Sequence, residues 1–266
     1  MAVCYRHNDR ETGVSCSNCG NPICPDCMTP TPVGMRCPDC SKQRTPVRTL
    51  RSMAVDPTAT YVLIAINVLV HFGSRSSGGR EVYGDLVLYG PLVGPGGEWW
   101  RLLSAGFLHG DQFHLLMNMV ALFFLGRMIE PALGHVRFLG LYFASLLTGS
   151  FGAVLLSPDD PVVGASTAIF GLFGAAILMA RNRGVDLMAS GLLPILGLNQ
   201  LSTFFPGFNI SIGGHLGGLA GGLVAALALE ALAKRRSVVP AVAACAVIGL
   251  ASVVAAIAVT NANFAG

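Results

Sequence analysis

Apolar runs and polar interruptions divide this chain into two regions that meet between Ser41 and Pro57. Beyond Pro57 come seven apolar stretches: Pro57–Gly73, Gln112–Gly126, Phe138–Leu156, Val162–Ala180, Leu187–Phe205, Asn209–Ala233 and Val238–Thr260. Most approach the roughly 20 residues that a helix needs to cross about 30 Å of hydrocarbon. They predict a bundle of seven membrane-spanning helices over residues 57–266, an all-α membrane domain. The second stretch is short, so its ends are expected in thinned or hydrated surroundings. Residues 1–41 are polar and cysteine-rich and form a separate head, and 42–56 read as a basic linker that touches anionic headgroups.

Composition agrees with that division. Of 266 residues, 53% are hydrophobic and 12% are charged, against about 25% charged in a soluble domain. So little charge leaves too little polar surface to coat a water-soluble globule. The 33 glycines suit helices that pack closely in lipid. A net charge of +3, with no basic stripe alternating with aromatics, gives no reason to expect a nucleic-acid partner. Residues 1–40 have no apolar core, so they are not read as a secretory signal.

The basic residues set an expected orientation. Lys42, Arg44, Arg48 and Arg51 precede the first stretch. Arg127 and Arg137 flank the second turn, Arg181 and Arg183 follow the fourth stretch, and Lys234, Arg235 and Arg236 follow the sixth. All fall on one side, while the opposite loops hold only Arg75, Arg80 and Arg101. The expectation is a multi-pass protein of the cell membrane, with its N-terminus cytoplasmic and its C-terminus outside. The long outer loop from Ser74 to Asp111 carries Tyr83, Tyr89, Trp99, Trp100 and Phe107, aromatics suited to the headgroup layer.

The head contains four paired knuckles: Cys4-x-x-His7, Cys16-x-x-Cys19, Cys24-x-x-Cys27 and Cys37-x-x-Cys40. Eight soft ligands satisfy two tetrahedral zinc ions. A cytoplasmic location keeps thiols reduced and favours metal over disulfides. The order resembles B-box-type cross-braced fingers, in which alternate pairs share one ion. That resemblance implies one site of Cys4, His7, Cys24 and Cys27, and another of Cys16, Cys19, Cys37 and Cys40. About 40 residues build little core unaided, so the zinc is expected to be structural. Four protein ligands per ion leave no open position for catalysis. The head's own partner, on the cytoplasmic side, is unknown.

Polar side chains within spans are costly and point to function. His114 and Asn118 are four apart and share a helix face. Ser166 lies about four residues into the fourth stretch, and His215 about six into the sixth. The three spans run in the same direction, which places a hydroxyl, two imidazoles and an amide roughly 5–10 Å below the outer surface. Gly174, Gly218 and Gly222 lie on the faces of Ser166 and His215 and let the two helices approach. Other intramembrane chemistries lack their residues: no pair of aspartates within spans, no His-Glu-x-x-His, no Gly-x-Ser-x-Gly elbow. A transporter would carry charged residues deep in several spans, and none is read here. Cys245, Asn67, His71 and His135 are given packing or span-end positions without a role.

Four motifs together resemble the rhomboid family of intramembrane serine proteases. They are Trp100-Arg101, His109-x4-His114-Leu-x-x-Asn118-Met119, Gly164-x-Ser166 and His215-x-x-Gly218-x-x-x-Gly222. The resemblance covers the chain from about Pro57 onward and implies the six-plus-one form of the fold. It implies Ser166 as nucleophile and His215 as general base, a dyad without an acid. It places His114, Asn118 and the Ser166 amide in an oxyanion hole, with His109 supporting the hole or holding water. The long aromatic loop would be the family's interfacial loop. Two positions depart from the pattern: Thr167 replaces the usual glycine, and Phe170 the usual tyrosine. Thr167 is expected to narrow the site, and Phe170 to stack on His215 without donating a hydrogen bond. The implied activity is an endopeptidase that cleaves transmembrane segments of other membrane proteins. The alternative is a catalytically silent, rhomboid-like protein that binds membrane clients, with a transporter a weaker third.

Overall fold

A computed structural model describes residues 2–42, 55–76, 79–186, 188, 189, 191, 211–233 and 237–264. It divides into two compact units at Ala54.

In the head, β1 (Ala2–Val3) pairs antiparallel with β2 (Glu11–Thr12), Ala2 facing Thr12. A second ribbon joins β3 (Thr29–Thr31) to β4 (Gly34–Arg36), turning at Gly34 with φ 119°. Prolines open two short helical pieces, the 3-10 turn Pro25–Cys27 and α1 (Pro38–Ser41). Proline costs nothing there, because the first amide of a helix has no partner anyway. Each turn carries the second half of a knuckle. Six of the seven residues that form the buried cluster are cysteines, and the seventh is Ile23.

The second unit is helical. Its helices are α2 (Thr58–Gly73), α3 (Gly79–Leu86), α4 (Gly90–Val93), α5 (Arg101–Ser104), α6 (Gln112–Leu133), α7 (His135–Leu156), α8 (Ser166–Asn182), α9 (Ile212–Ala231) and α10 (Val239–Phe264). Among the described residues, α6, α7, α9 and α10 are long and apolar enough to cross a membrane; α2 and α8 are apolar but shorter. The expected fifth span, Leu187–Phe205, lies outside the described residues apart from 188, 189 and 191, as do Arg44, Arg48, Arg51 and residues 234–236.

Three span boundaries are corrected. The second span runs on to Leu133 and has 22 residues, so it is not short. Arg127 does not stop it, because its guanidinium lies 4.9 Å from the Phe123 ring, where a long side chain covers apolar surface. Glu130 does not stop it either, although it is fully buried. Its carboxylate accepts from the Ala59 and Thr60 amides at 2.8 Å, from Thr60 Oγ1 at 2.6 Å, and meets His135 Nδ1 at 2.5 Å. A side chain from α6 thus caps the start of α2, satisfying amides that a helix otherwise leaves unpaired. The fourth span starts at Ser166, since Val162 pairs with Leu88 as an isolated bridge and Gly164 takes φ 124°. The sixth helix starts at Ile212, capped by Ser211 Oγ on the Gly214 amide at 3.0 Å.

The helices meet along glycines. A Cβ on Gly152 would stand 2.3 Å from the Gly213 carbonyl oxygen, and one on Gly217 2.6 Å from that of Thr148. Backbones this close gain dispersion contacts that lipid cannot match. Among the described helices α7, α8 and α9 approach backbone to backbone in this way, and the site lies at one end of that trio. Around it the segment between α2 and α6 is built as short helices on a buried Arg101, which donates to the Gly84 carbonyl at 2.6 Å and the Val87 carbonyl at 2.9 Å and pairs with Glu98. Trp99 and Trp100 remain exposed.

Candidate active site

Three helix starts converge. Asp111 caps α6, its carboxylate accepting from the His114 amide at 2.9 Å. That cap fixes the register, so His114 and Asn118 project from one face of the first two turns. Asn118 is buried, and its Nδ2 has no hydrogen-bond partner among the described residues. A buried amide donor without an acceptor is costly, and such a group in a native structure calls for an explanation.

Ser166 is the first residue of α8, and no side chain caps that helix. Its N-terminal amides, Ser166's included, face the site with the positive end of the helix dipole. Gly164, two residues earlier, needs φ 124°, which side-chain-bearing residues rarely adopt. A Cβ there would stand 2.8 Å from His114 Nε2 and 3.5 Å from Ser166 Oγ. Only glycine lets the chain turn between the imidazole and the hydroxyl, which gives the Gly-x-Ser spacing its physical reason.

His215, the fourth residue of α9, is buried, with Nε2 3.1 Å from Ser166 Oγ. Glycines permit this reach, because a Cβ on Gly218 would be 2.0 Å from the Thr167 carbonyl and one on Gly222 2.2 Å from Gly171 Cα. Phe170 stacks on His215, with ring centroids 3.9 Å apart and planes 16° apart. His215 Nδ1 has no partner among the described residues, and no carboxylate orients it. A hydroxyl hydrogen-bonded to an imidazole, with unengaged N–H groups beside it, can carry out nucleophilic acyl transfer.

Thr167 behaves differently from the expectation. It is buried, and its side chain wedges between Gly149 of α7 and Gly214 of α9. It spaces the helices instead of narrowing the site, because a residue after the first position of a helix turns roughly 100° away from its neighbour.

His109 is buried but makes no hydrogen bond to the site; its ring stands edge-on to His114, centroids 5.1 Å apart. Of two polar residues given no role in the sequence, His71 is fully buried beside His109, while His135 is exposed and pairs with the buried Glu130. Their spacing offered a signal for the first: Thr60, Asn67 and His71 recur at intervals of seven and four along one buried face of α2, followed by its buried C-cap Ser74.

The head brings its ligands together in two groups. Cys4, His7, Cys24 and Cys27 form one, and Cys16, Cys19, Cys37 and Cys40 the other, with the ligand atoms of each within 4.8 Å of one another. His7 Nδ1 lies 3.9, 3.3 and 3.4 Å from the sulfurs of Cys4, Cys24 and Cys27. Tetrahedral ligands on bonds of about 2.0–2.3 Å stand roughly 3.5–3.8 Å apart, so the donor sets fit such a metal. The Cys37 amide donates to Cys16 Sγ at 3.2 Å, and the Cys40 amide to Cys37 Sγ at 3.3 Å. Backbone N–H groups of Cys19 and Cys37 hold the Cys16 thiol down at about 6, favouring the thiolate that a metal needs.

Residues 96–232 match the Rhomboid domain family. Rhomboid protease GluP of Bacillus subtilis (strain 168) is 41% identical over 180 residues, 65% of this chain and 35% of that protein. YdcA of the same organism, named as a candidate rhomboid protease, is 36% identical over 171 residues, 63% of this chain and 86% of that one. Inactive RHOMBOID-like protein 8 of Arabidopsis thaliana is 38% identical over 86 residues, 32% of this chain and 24% of that protein. The matched part of this chain thus covers about a third of the first relative's length.

Proposed function

Because the chain belongs to the rhomboid family, whose named relatives include intramembrane proteases, we propose that it is a serine endopeptidase that cleaves transmembrane segments of other membrane proteins. The observation that carries this is the 3.1 Å contact between Ser166 Oγ and His215 Nε2. Ser166 is the nucleophile and His215 the general base: the imidazole takes the hydroxyl proton as Oγ attacks the scissile carbonyl, then returns it to the leaving amine. Charge on the carbonyl oxygen is met by Asn118 Nδ2, His114 and the Ser166 amide. Phe170 keeps the imidazole plane fixed, a part that a carboxylate plays in triads.

The head holds two structural zinc ions, one on Cys4, His7, Cys24 and Cys27 and one on Cys16, Cys19, Cys37 and Cys40. Neither ion has an open position, so zinc supplies stability to the head and no step of the reaction. From the basic residues we infer a cytoplasmic N-terminus and head, a C-terminus outside, and a site near the outer leaflet. Seven helices complete the bundle, and the head's partner is a cytoplasmic component.

The test is cleavage of a reconstituted transmembrane substrate, with a fluorophosphonate probe run alongside. Wild type is expected to cleave and to carry the probe on Ser166, and Ser166→Ala to do neither. A wild type that binds membrane clients but neither cleaves nor labels would replace the protease with a silent client-binding protein, the state that the name of the inactive relative describes.

A further inference from the structure

At the end of the bundle opposite Ser166, the helix ends enclose a crevice of about 240 Å³. The last turn of α6, the first of α7 and the last turns of α8 and α9 wall it. Ser166 opens α8 and Asn182 closes it, so about 24 Å of helix separates the crevice from the nucleophile. That span brings it near the opposite edge of the hydrocarbon. Much of the wall is apolar, Leu178 and Leu229 included, and its polar side chains are Arg137, Asn182, Arg183 and Glu230.

Arg137 is the residue that packing leaves unexplained. Its Nε–H is buried and has no acceptor among the described residues. All 14 Asp and Glu side chains of the chain lie among the described residues, and their ion pairs are with Arg6, Arg10, Arg101 and His135. No carboxylate side chain of this protein thus pairs with Arg137 or Arg183. Glu230, which shares the crevice, accepts instead from Asn182 Nδ2 at 2.7 Å. A guanidinium has five donors and no acceptor, and an enclosed donor left unanswered is costly. Topology explains arginines at a span end, and the carbonyl ends of α6, α8 and α9 draw cations here. An arginine standing in water satisfies both pulls, and neither supplies an acceptor to an enclosed Nε–H. The start of α7 adds donors to this end, because Gly134 caps it at φ 79° with no side-chain acceptor for its first amides.

We propose that this crevice binds the phosphate of an anionic phospholipid, held by Arg137 and Arg183, with the apolar part of the lipid along the Leu178 and Leu229 wall. An arginine presents a planar fork that meets phosphate oxygens in pairs. Two arginines against one carboxylate, itself engaged by Asn182, leave the site net positive, which favours a headgroup without an ammonium of its own. The bilayer edge supplies phosphates at this depth, and basic pockets between membrane helices take them. Seated there, the phosphate ties the turn between α6 and α7 to the ends of α8 and α9, whose other ends bring Ser166 and His215 together. The lipid stabilises the bundle and enters no step of the chemistry, so the inference stands apart from the protease reading.

The test uses the full chain, stripped of lipid in detergent and titrated with phosphatidylglycerol, phosphatidylcholine or inorganic phosphate. Native mass spectrometry counts bound lipid, and the thermal midpoint follows the bundle. Wild type should retain phosphatidylglycerol over phosphatidylcholine, with a midpoint that rises as it binds. Arg137→Gln should weaken the apparent affinity by on the order of tenfold, and Arg137→Lys by less, because an ammonium keeps the charge and loses the fork. Arg183→Gln, at an exposed position where folding is not at stake, should also weaken binding. Arg181→Gln, exposed and outside the crevice, should change nothing. Equal losses in Arg181→Gln and Arg137→Gln overturn the proposal, since diffuse surface charge would then hold the lipid. Binding that Arg137→Gln and Arg183→Gln leave intact overturns it too, as does a wild type without preference for phosphatidylglycerol. A midpoint raised by inorganic phosphate through Arg137, with no response to phosphatidylglycerol, overturns the lipid as the source and assigns the crevice to free phosphate.

Discussion

The head and the helical unit use polar atoms in opposite ways. In the head, the sulfurs and the His7 nitrogen turn toward one another, and they constitute nearly the whole buried cluster. In the helical unit the core cluster is mostly leucine, alanine, isoleucine and phenylalanine drawn together over glycine, with Glu130 and Arg101 buried among their partners. There Asn118 Nδ2 and His215 Nδ1 are buried without partners. The head spends its chemistry on holding its shape. The helical unit gets most of its shape from packing and leaves these two site atoms unengaged, as the proposed reaction, which develops new charge, would require.

The largest effect that tests this contrast is metal removal. Full-length protein should contain two zinc ions per chain, and a chelator that strips them should bring the head's amides to the exchange rates of an unfolded chain. Structural zinc contributes about 10–16 kcal/mol per site in small fingers, more than so small a cluster can replace. Cleavage by the helical unit should continue at its starting rate. One ion per chain, or cleavage lost with the membrane helices still folded, would break the comparison. Next comes Ser166→Ala, which should abolish cleavage, with His215→Ala nearly equal and the double variant no worse, because the two act as one unit. Additive losses in the double variant would separate them.

Asn118→Ala should slow cleavage by on the order of 10²–10³-fold, the scale of one lost oxyanion donor. An unchanged rate would show that its amide is not reserved for the reaction. Gly222→Ala puts a Cβ 2.2 Å from Gly171 Cα, so the thermal midpoint in detergent should fall by the equivalent of about 1–3 kcal/mol, with slower probe labelling as α8 and α9 separate. The smallest change is Thr167→Val, which replaces an unpartnered buried hydroxyl with a methyl group. It should leave stability within about 1.5 kcal/mol of wild type and turnover unaltered. Thr167→Gly, by reopening the space between Gly149 and Gly214, should lower the midpoint without raising turnover. A gain in turnover would restore the idea that Thr167 crowds the site.

Much of the site could be read from the sequence because its residues are placed by local rules. An i, i+4 pair after an aspartate cap, a serine two residues after a glycine, and a histidine with glycines at i+3 and i+7 each fix a direction on a helix. The paired knuckles were legible for the same reason, since two-residue spacing constrains ligands whatever surrounds them. Local rules failed where a distant partner decided the outcome. The second span, expected to end at Gly126, runs past Glu130 because α2 supplies amides that donate to its carboxylate, and His71 reads as a span-end residue until His109 encloses it. Thr167 reads as a neighbour of the nucleophile until α7 and α9 show which way it points.

The Glu130 clamp also bears on how the protein is made. The amides that open α2 have no acceptor within their own helix, and the carboxylate they donate to is encoded 70 residues later. At roughly 5–20 residues per second, the ribosome needs about 4–14 s to reach it. The clamp can close only once α6 has been made, and the residues of α8 and α9 that meet at Ser166 are translated later still.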